Sequence, residues 1–219
     1  MTIVLSVLIV FLLAGTIGTL LYLTQDEAGK SRRQLAQQID AEYQGYAALD
    51  HELRAAGFDL FHHSQIRHGR HQLRGHWHGR AYKIMDYPVI AASGISQQTL
   101  ILIECDSKHV GKLKATPAKN HQSRQLDQFV DPQPDAFIRL QASELPPSLR
   151  QWKIAAIKPH AVRIKLNGNF SHWLEQHDTV SIELSDTFLL IYRPDSLLLA
   201  DNISSALALA KDLADILET

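Results

Sequence analysis

Residues Ile3–Leu23, IVLSVLIVFLLAGTIGTLLYL, run without a single charge. At ~1.5 Å per residue, a helix of that length covers the ~30 Å hydrocarbon core of a bilayer. Only Met1 and Thr2 precede the run, and no small-x-small cleavage pattern follows it, so it does not read as a secretory signal. The sequence therefore predicts a transmembrane anchor over residues 1–24, a juxtamembrane linker over 25–33 and one α+β domain over 34–219. Lys30, Arg32 and Arg33 lie just beyond the run. The positive-inside rule then places the N-terminus outside and the domain in the cytoplasm, as a single-pass protein of a bacterial inner membrane. The lone cysteine, Cys105, agrees with a reducing compartment because it cannot form an internal disulfide.

Within the run, Ala14, Gly15, Gly18 and Thr19 share one helical face. They form two small-xxx-small pairs, which let a second helix approach closely. This predicts packing against a membrane protein complex or a second copy of the chain. The plainer reading is that Gly and Thr are ordinary constituents of membrane helices.

Beyond the anchor, Gln34–Ala56 repeats apolar residues (Leu35, Ile39, Tyr43, Tyr46, Leu49, Leu53) at spacings of three and four, the pattern of an amphipathic helix. Asp26–Ser31, with Gly29, reads as the joint between anchor and domain, and Gly57 as a left-handed cap. The period then shortens. Phe58–Phe61 alternates, and Gln72–Trp77 and Arg80–Tyr87 flank His78-Gly79, a two-residue hairpin signal. Thr99–Cys105 is continuously apolar, as a strand buried on both faces would be, with Val110–Lys114 as a candidate partner. Lys119–Pro134 is polar and reads as a loop, and Ala136–Leu140 as a strand. Leu149–Ile157 suits helix or strand, and Val162–Leu166 alternates. Thr179–Leu184 and Thr187–Arg193 form a second hairpin around Ser185-Asp186. Asp201–Leu217 is an amphipathic helix. The predicted class is α+β: transmembrane helix, amphipathic helix, mostly antiparallel sheet and C-terminal amphipathic helix.

The segment Gly75-His76-Trp77-His78-Gly79-Arg80, with Asp86-Tyr87 after it, forms a G-x-W-x-G-R…D-Y pattern. Tyr192-Arg193-Pro194 precedes the last helix. Together these resemble a group of bacterial proteins with one N-terminal membrane helix. The resemblance implies that architecture and no activity.

Charge is unevenly spread. Leu60–Met85 contains no acid but holds Arg67, Arg70, Arg74, Arg80 and Lys83, while the last third of the chain is acidic. This basic hairpin suits anionic lipid headgroups, at about 1 kcal/mol per close cation. Single-stranded nucleic acid, stacked on Trp77, Tyr82 or Tyr87, is the weaker rival, and a merely solvated face is the simplest case. Six histidines lie between His62 and His78. On an extended strand His76 and His78 would point to one side, and with His71 they form the candidate metal set. A set of solvated histidines on a basic hairpin is the plainer account.

No nucleophile elbow, phosphate-binding loop, dinucleotide fingerprint or zinc spacing is present, and no cofactor is expected. The resulting expectation is a non-enzymatic accessory or scaffolding subunit that docks on a membrane protein partner. The alternatives are a histidine-dependent metal or haem binder, or an enzyme whose site assembles only in space.

Overall fold

The computed structural model describes residues 12, 13, 15, 16, 27–62, 66–91, 94–118 and 137–219. Its strands are β1 (Glu42–Ala48), β2 (His68–Trp77), β3 (Arg80–Ala91), β4 (Gly94–Glu104), β5 (Leu113–Pro117), β6 (Ile138–Arg139), β7 (Trp152–Ala156), β8 (Ser181–Leu184) and β9 (Phe188–Tyr192). They form one sheet in the order β1-β2-β3-β4-β9-β8-β5-β7-β6, and the neighbouring strands pair antiparallel. The spine is the β3–β4 hairpin, paired from Tyr82↔Ile103 to Ala91↔Gly94.

Both faces of the sheet are covered. Ile84, Ile101, Ile103, Ile182 and Ile191 point to one face. There they meet Leu35 and Ala36 of the helical residues 27–38, and Phe170, Leu207, Leu213 and Leu217 of the helices Asn169–Gln176 and Ile203–Glu218. Met85, Tyr87, Leu100, Leu102 and Leu190 point to the other face, under Leu53, Phe58 and Phe61 of the short helices His51–Ala55 and Asp59–His62 and the turn between them. A strand covered on both faces has no reason to alternate, which explains the unbroken apolar run Leu100–Ile103 in β4.

Several sequence expectations need correction. The predicted class with a transmembrane helix does not describe this fold, which is a nine-stranded antiparallel sheet with few helices. Among the described residues, no helix is long and apolar enough to cross a membrane. Leu12, Leu13, Gly15 and Thr16 are helical, while the rest of Ile3–Leu23, including Ala14, Gly18 and Thr19, lies outside the described residues, as does Lys119–Pro134. The amphipathic helix over 34–56 is three elements. Helical residues 27–38 run through the supposed joint and linker, and Asp40 then takes a left-handed φ of 51°. The chain turns back as β1, and the helix His51–Ala55 follows. Tyr43 and Leu49, which helical spacing put on one face, in fact pack on opposite faces of the sheet. Phe58–Phe61 is largely helical, and Val162–Leu166 belongs to the helix Pro159–Leu166. β5 joins β7 and β8 rather than β4, whose second neighbour is β9.

Candidate docking surface

The helical residues 27–38 bury Gly29, Arg32, Leu35 and Ala36, an i, i+3, i+6, i+7 stripe. Arg32 is the unusual member, with only 3% of its surface exposed. Its Nη2 donates to Oδ1 of Asp86 on β3 at 3.0 Å and to the carbonyl of Leu198 at 2.7 Å. The hydroxyl of Thr99 on β4 donates to the same Asp86 oxygen at 2.6 Å and accepts the Leu198 N–H at 2.8 Å. Leu198 is thus held through both of its backbone groups. Burial pulls the Arg32 guanidinium below its ordinary value, and the Asp86 carboxylate opposes that shift. The network fastens the helix, β3, β4 and the segment after β9 at one end of the sheet.

A bulge in β2 sits beside this network. Arg70 pairs with Asp86 but Leu73 with Ile84, so β2 carries one extra residue between them. His71, within the bulge, has a φ of 52°. Its Nδ1 is hydrogen-bonded to the Tyr43 hydroxyl at 3.0 Å, and Arg33 lies over the Tyr43 ring at 5.2 Å. Burial lowers the His71 pKa, Asp86 opposes that shift, and Arg32 and Arg70 reinforce it. A Cβ at Gly29 would come within 3.2 Å of the Tyr43 oxygen and 3.3 Å of the His71 ring, so a larger residue there would press on both side chains.

Outside this locked interior lies an exposed rim. β1 is an edge strand. Tyr46 on it is 58% exposed and stacks at 4.7 Å on exposed His68. Arg67 and Arg70 are exposed next to it. The other cations of the basic stretch meet acids from elsewhere in the chain. Arg74 pairs with Glu42 at 2.8 Å and Lys83 with Asp50 at 2.6 Å. Arg80 forks onto both carboxylate oxygens of Glu218, at 2.6 and 2.7 Å, and onto Asp215 at 2.6 Å. Those three are therefore ties within the fold, and Arg80 clamps the hairpin turn to the C-terminal helix.

The candidate histidines do not converge. His76 is exposed on β2, whereas His78 sits in the turn with a φ of 49°, which removes the shared strand face. Among the described residues, no group of three or more His, Cys, Asp or Glu side chains could hold a metal ion. Cys105 is buried, and burial pushes its thiol up to about 12, which leaves it inert.

One constellation had no sequence signal. Glu183 on β8, 3% exposed, accepts a hydrogen bond from the Tyr192 hydroxyl at 3.1 Å, beneath the ion pair of Lys114 with Asp59. Burial pushes the Glu183 carboxyl up to about 7, Lys114 lowers it, and Asp59 raises it. The group is sealed from solvent on the covered face of the sheet. Only the pairing of β5, β8 and β9, which are far apart in sequence, brings it together.

No family model and no curated protein matches the chain. The crystal structure of the mycobacterial trehalose monomycolate transport factor A, TtfA, is similar in fold. Its TM-score is 0.63 at 12% identity, and the match covers 87% of this chain and 94% of that one. At that identity the likeness is one of fold.

Proposed function

We propose that this protein is a non-enzymatic accessory factor of a bacterial membrane transport assembly, and that it docks on a protein partner through the rim of β1 and β2. The observation that carries the reading is Tyr46 on the edge strand, 58% exposed and backed by His68. Aromatic side chains of this kind anchor protein interfaces, and an edge strand offers backbone groups to a partner's strand. Beneath them, the Arg32–Asp86–Thr99 network gives a rigid seat. The fold likeness to a transport factor supports the class of role. We place the protein at the cytoplasmic face of the inner membrane as part of the same proposal.

The test is purification of the tagged full-length chain from native membranes in mild detergent, followed by mass spectrometry. The proposal expects a stoichiometric membrane transport protein, lost from the Tyr46→Lys variant. Recovery of the chain alone, or a partner retained equally by that variant, contradicts it.

A further inference from the structure

We infer that the far end of the β3–β4 hairpin, together with the segment after β9, is a lipid contact that rests on a bilayer surface containing anionic headgroups. The next-to-last cross-strand pair of the hairpin is Ile90↔Ile95, with the two side chains 60% and 71% exposed. Thr99 donates its N–H to the Ser196 carbonyl at 2.9 Å, which lays the segment after β9 against the middle of β4. There Leu198 is held by Arg32 and Thr99, and its neighbours Leu197 and Leu199 stand out, 48% and 71% exposed. Four large apolar side chains therefore stand out between the middle of β4 and the hairpin tip.

Three features favour a bilayer as the occupant. First, the hairpin runs past the strands on either side: β2 pairs β3 only as far as Asp86 and β9 pairs β4 only from Leu100, so Val89↔Ser96, Ile90↔Ile95 and Ala91↔Gly94 form a two-stranded tip that reaches beyond the rest of the sheet. Second, the chain enters the domain at this same end. Residues 27–38 lead through a short turn into β1 and so run back along it, with residue 27 beyond the Arg32–Asp86 rung on the side of the hairpin tip. The sequence just before, Ile3–Leu23, is uncharged and strongly apolar. Third, exposed Lys30, Arg67, Arg70 and Arg193 flank this end, against exposed Glu27, Asp195 and Asp201. Cations beside an apolar tip match an anionic interface.

The experiment uses the full chain with Leu199→Cys, labelled with an environment-sensitive fluorophore. Buried Cys105 does not compete for the label. The chain is reconstituted into vesicles of phosphatidylcholine, alone or mixed with phosphatidylglycerol. A label at His78→Cys, in the turn at the opposite end of β3, serves as the reference. The inference expects a blue shift and quenching by brominated lipid at position 199 in the mixed vesicles. Position 78 should show neither, and Ile90→Glu with Ile95→Glu should abolish the signal at 199. A label at 199 that stays in water while the chain is vesicle-bound overturns the inference. An equal response at 199 and 78 also overturns it, and an equal response in both lipids removes the anionic requirement. Because these vesicles contain no other protein, the result is independent of the proposed partner.

Discussion

Arg32 and Asp86 meet at 3.0 Å across the covered face of the sheet, with side chains 4% and 11% exposed. Thr99 and Leu198 close the ring around them. Removing one member of such a pair leaves the other charge buried without its counter-ion. Arg32→Met should therefore cost about 3–5 kcal/mol in urea unfolding. Arg32→Met combined with Asp86→Leu should recover most of that loss. An additive double variant would show that the two charges do not act as a unit.

Glu183 makes stability depend on pH with a definite sign. Its folded pKa, about 7, lies above its ordinary value near 4.5, so the folded state holds the proton more tightly than the unfolded chain does. The resulting stabilisation is complete below about pH 4.5 and is lost as pH rises to about 7, a change of up to about 3 kcal/mol. Urea unfolding across that range should show this fall in the native protein, and Glu183→Gln should flatten it.

Arg80 ties the hairpin turn to the last helix through Glu218 and Asp215; it holds the Glu218 carboxyl below its ordinary value, and Lys211 first and Arg80 second do the same for Asp215. The clamp is partly solvated, so Arg80→Ala should cost only about 1–2 kcal/mol, and less at high salt. A loss that does not change with salt would mean that the arginine acts by packing rather than by charge.

His78 and Gly79 both have positive φ, 49° and 84°, as a two-residue hairpin of the I′ type demands. A histidine pays for that conformation where asparagine or glycine does not. His78→Asn should raise the unfolding midpoint, by about 0.5–1 kcal/mol of stability.

These ties show what the sequence can convey. The His78-Gly79 turn was legible because two strand patterns flank it, and the hairpin of β8 and β9 was legible for the same reason. The motif residues Gly75, Gly79, Arg80, Asp86 and Tyr87 stood out as a pattern, yet their work depends on distant partners. A Cβ at Gly75 would press the Tyr82 ring, and the Tyr87 hydroxyl donates to the Ile66 carbonyl. Residues 34–56 misled because Tyr43, Tyr46, Leu49 and Leu53 satisfy a helical period by coincidence, while pairing with β2 satisfies the backbone of 42–48. The basic stretch looked like one surface because its acids lie 32 to 138 residues away in sequence. Arg32 read as a topogenic charge, and nothing local marks it as a buried structural one. Tyr46 drew notice only as a helix position, and its exposure follows from β1 being at the edge of the sheet.

The central claim is that the β1–β2 rim faces a partner, and photo-crosslinking in native membranes tests it most directly. A photoreactive phenylalanine analogue is placed at position 46 and, as reference, at position 78 in the exposed turn. The account predicts one discrete crosslinked protein product from position 46 and none from 78. A rim that crosslinks to nothing, or a turn that crosslinks to the same protein, would contradict it.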